Sequence, residues 1–279
     1  MALPTFAITN DLNWTVSHRP LSFVGNDGAS VQVDERVAVV RDDTGTFLGT
    51  VSPNYETVQN RDLLGLIQPM VDEGLLEMKN IGYLNNGSKV FAQAQICEEY
   101  QVLGETYKGF ITLLNGHTGN SSVAIGPSNV RVICGNTFAM SYQQIGEKFR
   151  HSLGVNQRIL ASEAILNYVN GAMATYSRYA EELAAARCTQ TQFKNVLEEI
   201  YQRPVAEMRE SFVDQLNKLF YDGAGNEGRT MYDAFNAVTD YNSNQSRKTA
   251  SGKFQYANFG KGANVAQRAM SVLLEAAAA

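Results

Sequence analysis

No stretch of this sequence approaches the roughly 18 consecutive apolar residues that cross a bilayer. Its opening residues, Met1-Ala-Leu-Pro-Thr-Phe6, lack a charged segment running into an apolar one. The first absence excludes a helical membrane span and the second a secretory signal, so a cytoplasmic chain is expected, with no membrane partner. Cysteine is scarce. Cys97, Cys134 and Cys188 are odd in number and far apart, which fits neither a disulfide framework nor a zinc site and suits a reducing compartment. Histidine is equally sparse: His18, His117 and His151 form no His-x-x-His or Glu-x-x-His pair. The paired acids Asp42 and Asp43 fall in a turn, where acids are common anyway. A metal centre and a cofactor are therefore not expected. Positive charge is also short, with 23 Lys and Arg against 28 Asp and Glu and a net charge of −5, which excludes a wholly basic nucleic-acid binder. For phosphate binding, the distribution of cations then matters more than their sum.

What is present is a globular composition, 44% hydrophobic and 18% charged over 279 residues, enough for one large domain or two small ones. The front half carries strand signals. Val37–Arg41, an Asp/Gly turn and Thr46–Val51 make one hairpin. Thr57–Glu73 repeats Leu63, Leu64, Ile67, Met70 and Val71 at helical spacing, and Gly74 suits its end. Leu76–Leu84, the turn Asn85-Asn-Gly87 and Lys89–Ile96 make a second hairpin. Further strands are expected at Tyr107–Leu114 and Asn129–Cys134, around a polar loop from Asn115 to Ser122. Beyond about Leu153 the chain turns helical: Asn156–Arg187, Gln192–Gln202 capped by Thr191, a helix from Pro204 to Asp222, Met231–Tyr241 and Asn264–Ala278. Ser243–Gly262, polar and basic with interleaved aromatics, reads as a mobile loop. The fold class is α+β, with antiparallel hairpins and a packed helix over residues 1–150 and a helical region over 151–279. The boundary divides either two domains or two layers of one.

Three constellations stand out. Gly223-Ala-Gly-Asn-Glu-Gly228-Arg229-Thr230 has the spacing of a nucleotide phosphate loop, with arginine in place of lysine. It leaves an amphipathic helix instead of a buried strand, so a glycine-rich connection between helices is favoured and ATP hydrolysis is not expected. Asn115-Gly-His117-Thr-Gly-Asn120, followed by Arg131-Val-Ile-Cys134-Gly-Asn136, offers donors for phosphate or base edges. A Cys134/His117 nucleophile is the chemical alternative there, and plain turn chemistry the bland one. The third is acid-free: from Asn244 to Arg268 there are Arg247, Lys248, Lys253, Lys261 and Arg268 and no carboxylate, with Phe254, Tyr256 and Phe259 between. Cations along a backbone with aromatics for stacking suit a single strand; a solvated loop with its rings tucked inward is the alternative. Lys148, Arg150, His151 and Arg158 form a weaker basic cluster, for which a plain charged face is the alternative.

Several motifs carry a resemblance: Arg41-Asp-Asp-Thr-Gly45, Leu48-Gly-Thr-Val51, Tyr55-Glu-Thr-Val-Gln-Asn60, Gly87-Ser-Lys-Val-Phe91, Asn115-Gly-His117, Arg131–Thr137 and Thr230–Asp240. In this order they resemble a widespread phage/plasmid-like family known as a domain of unknown function. Thr118 stands where that family more often has an acid after the histidine. More distantly, the hairpin–helix–hairpin arrangement resembles the core of single-strand annealing recombinases of the RecT, Red-beta and Erf kind. That second resemblance implies ATP-independent binding and annealing of single-stranded DNA by a ring or filament of identical subunits, without a catalytic residue. Its site would draw on Lys108, Asn115, His117, Arg131 and Asn136 along the sheet edge. Arg150, Arg158, Arg247, Lys248, Lys253, Phe254, Tyr256 and Lys261 would add to it. The competing function is a protein–protein factor, anti-defence or regulatory, that binds no DNA.

Overall fold

In the structure, a computed structural model, residues 12–119, 123–131, 136–139, 147–149 and 162–279 are described. Two antiparallel sheets come first and helices follow, so the chain is α+β.

The smaller sheet has the order β1-β2-β3, with β1 at Val16–Val24, β2 at Ser30–Arg41 and β3 at Phe47–Val51. Its base is the expected hairpin, Val37 to Val40 of β2 facing Val51 to Phe47 of β3. β1 is an addition. Pro20 has no amide to give a ladder, and here it stands at an edge, where the register with β2 shifts between Pro20 and Leu21. The side-chain amide of Gln59 takes the place of a further strand beside β1. It accepts from Val16 N at 3.1 Å and donates to Val16 O at 2.9 Å.

The expected single helix over Thr57–Glu73 is two short ones, α1 at Asn60–Gly65 and α2 at Gln68–Asp72. Pro69 explains the break: it enters the first turn of α2 and could not continue α1. Gly74, at φ +74°, ends α2 as the spacing predicts, with Gly74 N bonded to Val71 O and Leu75 N to Met70 O.

The larger sheet runs β4-β5-β6-β7-β8, with β9 also pairing β7. Its strands are β4 (Leu76–Leu84), β5 (Lys89–Val102), β6 (Glu105–Gly116), β7 (Val123–Arg131), β8 (Asn136–Ala139) and β9 (Glu147–Phe149). Alternation sorts β6 into two faces. Tyr107, Ile111, Leu113 and Asn115 share one, and Lys108, Phe110, Thr112 and Leu114 the other. On the first face, Asn115 Nδ2 donates to Val58 O at 2.8 Å, just ahead of α1.

Among the described residues six helices follow: α3 (Ser162–Ala185), α4 (Gln190–Tyr201), α5 (Glu210–Asp222), α6 (Met231–Asp240), α7 (Ala250–Phe259) and α8 (Lys261–Ala278). Thr189, not Thr191, caps α4, and its hydroxyl accepts from Gln192 N. Pro204 leads into a short 3-10 turn at Val205–Glu207, and α5 starts only at Glu210. The last helix begins at Lys261, three residues before the expected start. The hydrophobic core is continuous between the two halves. Tyr176 of α3 packs on Tyr107 of β6 at 5.4 Å, and the Tyr232 hydroxyl of α6 bonds that of Tyr107.

The expected mobile loop over Ser243–Gly262 is the largest departure. It consists of a π-helical turn, Tyr241–Gln245, and then α7. Thr249 caps α7 by accepting from Gly252 N at 3.1 Å. Phe254, Ala257 and Asn258 are buried. Phe254 lies 5.2 Å from Phe91 of β5, and Asn258 Oδ1 accepts from Gln93 Nε2 at 3.5 Å. Gln93 and Phe91 lie on the face of the sheet opposite Val58 and Asn115, so α7 covers that side.

Candidate nucleic-acid interface

The motif residues of the front half converge on one buried joint between the two sheets. Arg41, 8% exposed, ends β2, and its guanidinium sits in the corner made by two rings set nearly at right angles, Trp14 at 4.3 Å and Tyr83 at 4.7 Å. It donates to both carboxylate oxygens of Asp43, at 2.6 and 2.8 Å. This pairing raises the Arg41 pKa and lowers that of Asp43. Asp42 turns the other way and accepts from Ser17 and Thr15, which lowers its own pKa. Gly87, at φ +107°, has no room for a side chain, because a Cβ there would meet the Trp14 ring at 3.0 Å. Behind Trp14 lies His117. Its Nε2 is 3.1 Å from Asn60 Oδ1, while Asn60 Nδ2 donates to the carbonyls of Leu12 and Trp14. The acceptor on Asn60 makes Nε2 the protonated nitrogen of that ring.

This joint disperses the sheet-edge half of the expected site. Asn115 and His117 are fully buried, and their donors hold the chain segments before and within α1. Lys108 is seven residues from Asn115, about 23 Å along a strand, and on the opposite face of the sheet. It lies opposite Glu99 in the ladder and is paired with it at 3.6 Å. The ladder pairs Arg131 with Tyr107 and with Asn136. Arg150 and Arg158 lie outside the described residues, as does Cys134 of the suggested nucleophile.

The back-half cations do gather. Tyr256, half-buried in α7, carries the Arg247 guanidinium over its ring at 4.0 Å. Burial raises the Tyr256 pKa, and the Arg247 charge pulls against that rise. Lys253 is one helical turn before Tyr256, on the same side of α7. After α7 the chain turns at Gly260, and Gly262 runs under the same ring: a Cβ there would lie 2.5 Å from it, so Lys261 is brought alongside. Asn242, in the π-helical turn, holds this corner by donating to Gly262 O at 3.2 Å. Arg247, Lys248 and Lys261 are exposed. No carboxylate of a described residue comes within ion-pair distance of these cations or of Lys253. Phe254, two residues from Tyr256, points into the core and is closed to a stacking base. The cations were legible in the sequence; their assembly around one tyrosine depends on α7, which was not.

The phosphate-loop lookalike holds an anion of its own. Asp233, in the first turn of α6, accepts through one carboxylate oxygen from Arg229 N at 2.9 Å, Thr230 N at 3.0 Å and Thr230 Oγ1 at 3.0 Å. Thr230 caps α6 in return by accepting from Asp233 N. The amides that a nucleotide phosphate would need are spent on this capping box, and the loop joins α5 to α6. Nearby Cys188 is buried, and its thiol is pushed up to about 12, largely by desolvation. It is inert at neutral pH. Among the described residues, no group of His, Cys, Asp and Glu could hold a metal ion, and no helix is long and apolar enough to cross a membrane.

The site this geometry offers is thus a compact cation–aromatic surface on a helix that caps an antiparallel sheet. The chain belongs to the family described as a domain of unknown function (DUF932), whose model matches residues 47–271, from β3 through most of α8. Comparison with curated proteins and with solved structures gives no match.

Proposed function

We propose that this chain binds single-stranded DNA, without ATP, on the α7–α8 surface, and acts as an oligomeric annealing protein of phage/plasmid type. One observation carries this reading: Arg247 lies over Tyr256, Lys253 is one helical turn before it, Lys261 precedes the glycine packed under it and Lys248 follows Arg247, and none of the four is ion-paired with a described carboxylate. Within an acidic chain, an array of cations without counter-charges is a surface kept for an external anion. Tyr256 acts here by orienting Arg247, and its half-buried ring leaves little area for stacking. Asn115 and His117 contribute by holding the fold.

The test is fluorescence anisotropy with a labelled single-stranded oligonucleotide at low salt, beside an annealing assay with its complement. Lys248→Glu with Lys253→Glu should weaken binding at least about tenfold, since two phosphate contacts become repulsions. Absence of binding by the unaltered chain at low salt defeats the proposal. The second reading, a protein–protein factor, is favoured by a different observation: the exposed Phe23, Val24 and Val31 at the end of the β1–β2 ribbon.

A further inference from the structure

Beyond the shift at Pro20, β1 and β2 continue as a ribbon of two strands. Leu21 faces Val33, Ser22 faces Gln32, Phe23 faces Val31 and Val24 faces Ser30. β3 reaches only Val37 to Val40, so among the described residues the ribbon's strands pair with each other alone and both of its outer edges are open. Open edges and an isolated hairpin are each unfavourable in water unless something covers them. The tip is also apolar: Phe23 is 56% exposed, its partner Val31 43% and Val24 74%. Around these lie exposed Asp27, Asp34 and Glu35, with Arg36 as the one cation of residues 21–36. The arm is therefore an apolar tip in an acidic collar.

We infer that this arm docks on the α7–α8 basic surface of a second copy of the chain. Charge selects that occupant. Two arms laid together would set like charges against each other, which costs several kcal/mol, whereas Arg247, Lys248, Lys253 and Lys261 form no ion pair with a described carboxylate. The exposed guanidinium of Arg247, held over Tyr256, also gives a weakly hydrated plane on which Phe23 can lie. Each copy offers one arm and one receiving surface, so the contact joins two different patches of the chain. Two copies can exchange arms reciprocally in a two-fold dimer, or pass them on from copy to copy into a closed ring or an open filament. Nucleic acid and the neighbour's arm then compete for the same cations. The inference shares that surface with the proposed function but does not require that DNA binds there.

Sedimentation velocity and light scattering on the full chain test it through a charge swap. Asp34→Lys with Glu35→Lys, in one variant, and Lys248→Glu with Lys253→Glu, in another, should each weaken self-association at least about tenfold. Mixed in equal amounts, the two should associate again, because the basic arm of one meets the acidic surface of the other. Asp34, Glu35 and Lys248 are exposed and Lys253 is half-buried, and circular dichroism spectra matching the unaltered chain check folding. An unaltered chain that stays monomeric at its highest soluble concentration overturns the inference. So does a mixture that fails to reassemble, which would mean that the arm meets a copy elsewhere or serves another partner. Oligonucleotide binding separates the two claims. If the arm variant keeps DNA affinity and its original mass, the inference fails while the proposed function stands; if the surface variant loses assembly and the unaltered chain binds no DNA, the reverse holds.

Discussion

Arg41 shows how a single side chain can account for a motif. Its guanidinium is planar and weakly hydrated, so it can lie against two rings and still donate in parallel to a carboxylate. Trp14, Tyr83 and Asp43 use all of those properties together. Arg41→Met keeps much of the volume but loses the stacked charge and its hydrogen bonds, and should cost about 2–4 kcal/mol. Urea unfolding measures this, with oligonucleotide affinity expected to stay unchanged. Arg41→Lys restores the charge but neither the plane nor the fork, and should recover less than half of the loss. A lysine variant as stable as the unaltered chain would contradict the stacking account. The same argument covers His117, whose place in the sequence resembled a ligand-binding loop. A strand residue serves either face according to register alone, and here the register turns Asn115 inward and His117 toward Asn60. Nothing in their local sequence distinguishes that outcome from an exposed edge.

Among the elements, the hairpins were legible because alternation and turn chemistry agree: Asp-Asp-Thr-Gly45 and Asn-Asn-Gly87 stand where a reversal needs them. β1 was not, since Pro20 interrupts its pattern and only edge placement permits it there. α7 was hidden for a different reason. One of its buried positions is Asn258, which bonds to Gln93 and to Phe254 O, so the apolar stripe that announces a helix is broken by a polar residue with polar partners. Gly252 and Gly260 add to the appearance of a loop. The α5–α6 connection carries a prediction of its own. Asp233→Ala leaves the amides of Arg229 and Thr230 without their acceptor, and should destabilise the chain by about 2–4 kcal/mol. Gly228→Ala should also destabilise it, by at least about 1 kcal/mol, since φ there is +68° and a Cβ would lie 2.3 Å from the Tyr221 ring. Neither effect depends on nucleotide. Magnesium ATP at millimolar concentration should leave the melting temperature where it was, and a clear rise would mean that the loop releases Asp233 to take a phosphate.

At the scale of the whole molecule, the net charge and the proposed DNA-binding surface have opposite signs. A chain of charge −5 repels a polyanion at long range, so encounter with DNA relies on a local field that salt screens within about 10 Å at 0.1 M. Affinity should therefore fall steeply with salt. Four cations make up the surface, Arg247, Lys248, Lys253 and Lys261, and if each displaces one counterion from a single strand the logarithm of the binding constant should fall with the logarithm of salt at a slope of about −3. Lys253→Ala should flatten that slope by about 0.7, whereas Lys108→Ala, which removes a lysine already paired with Glu99, should leave it unchanged. The contrast between the two lysines is the informative part. A slope well beyond −3 in the unaltered chain, or one that Lys108→Ala reduces as much as Lys253→Ala does, would mean that the phosphate path extends across the sheet and that α7 is only part of it.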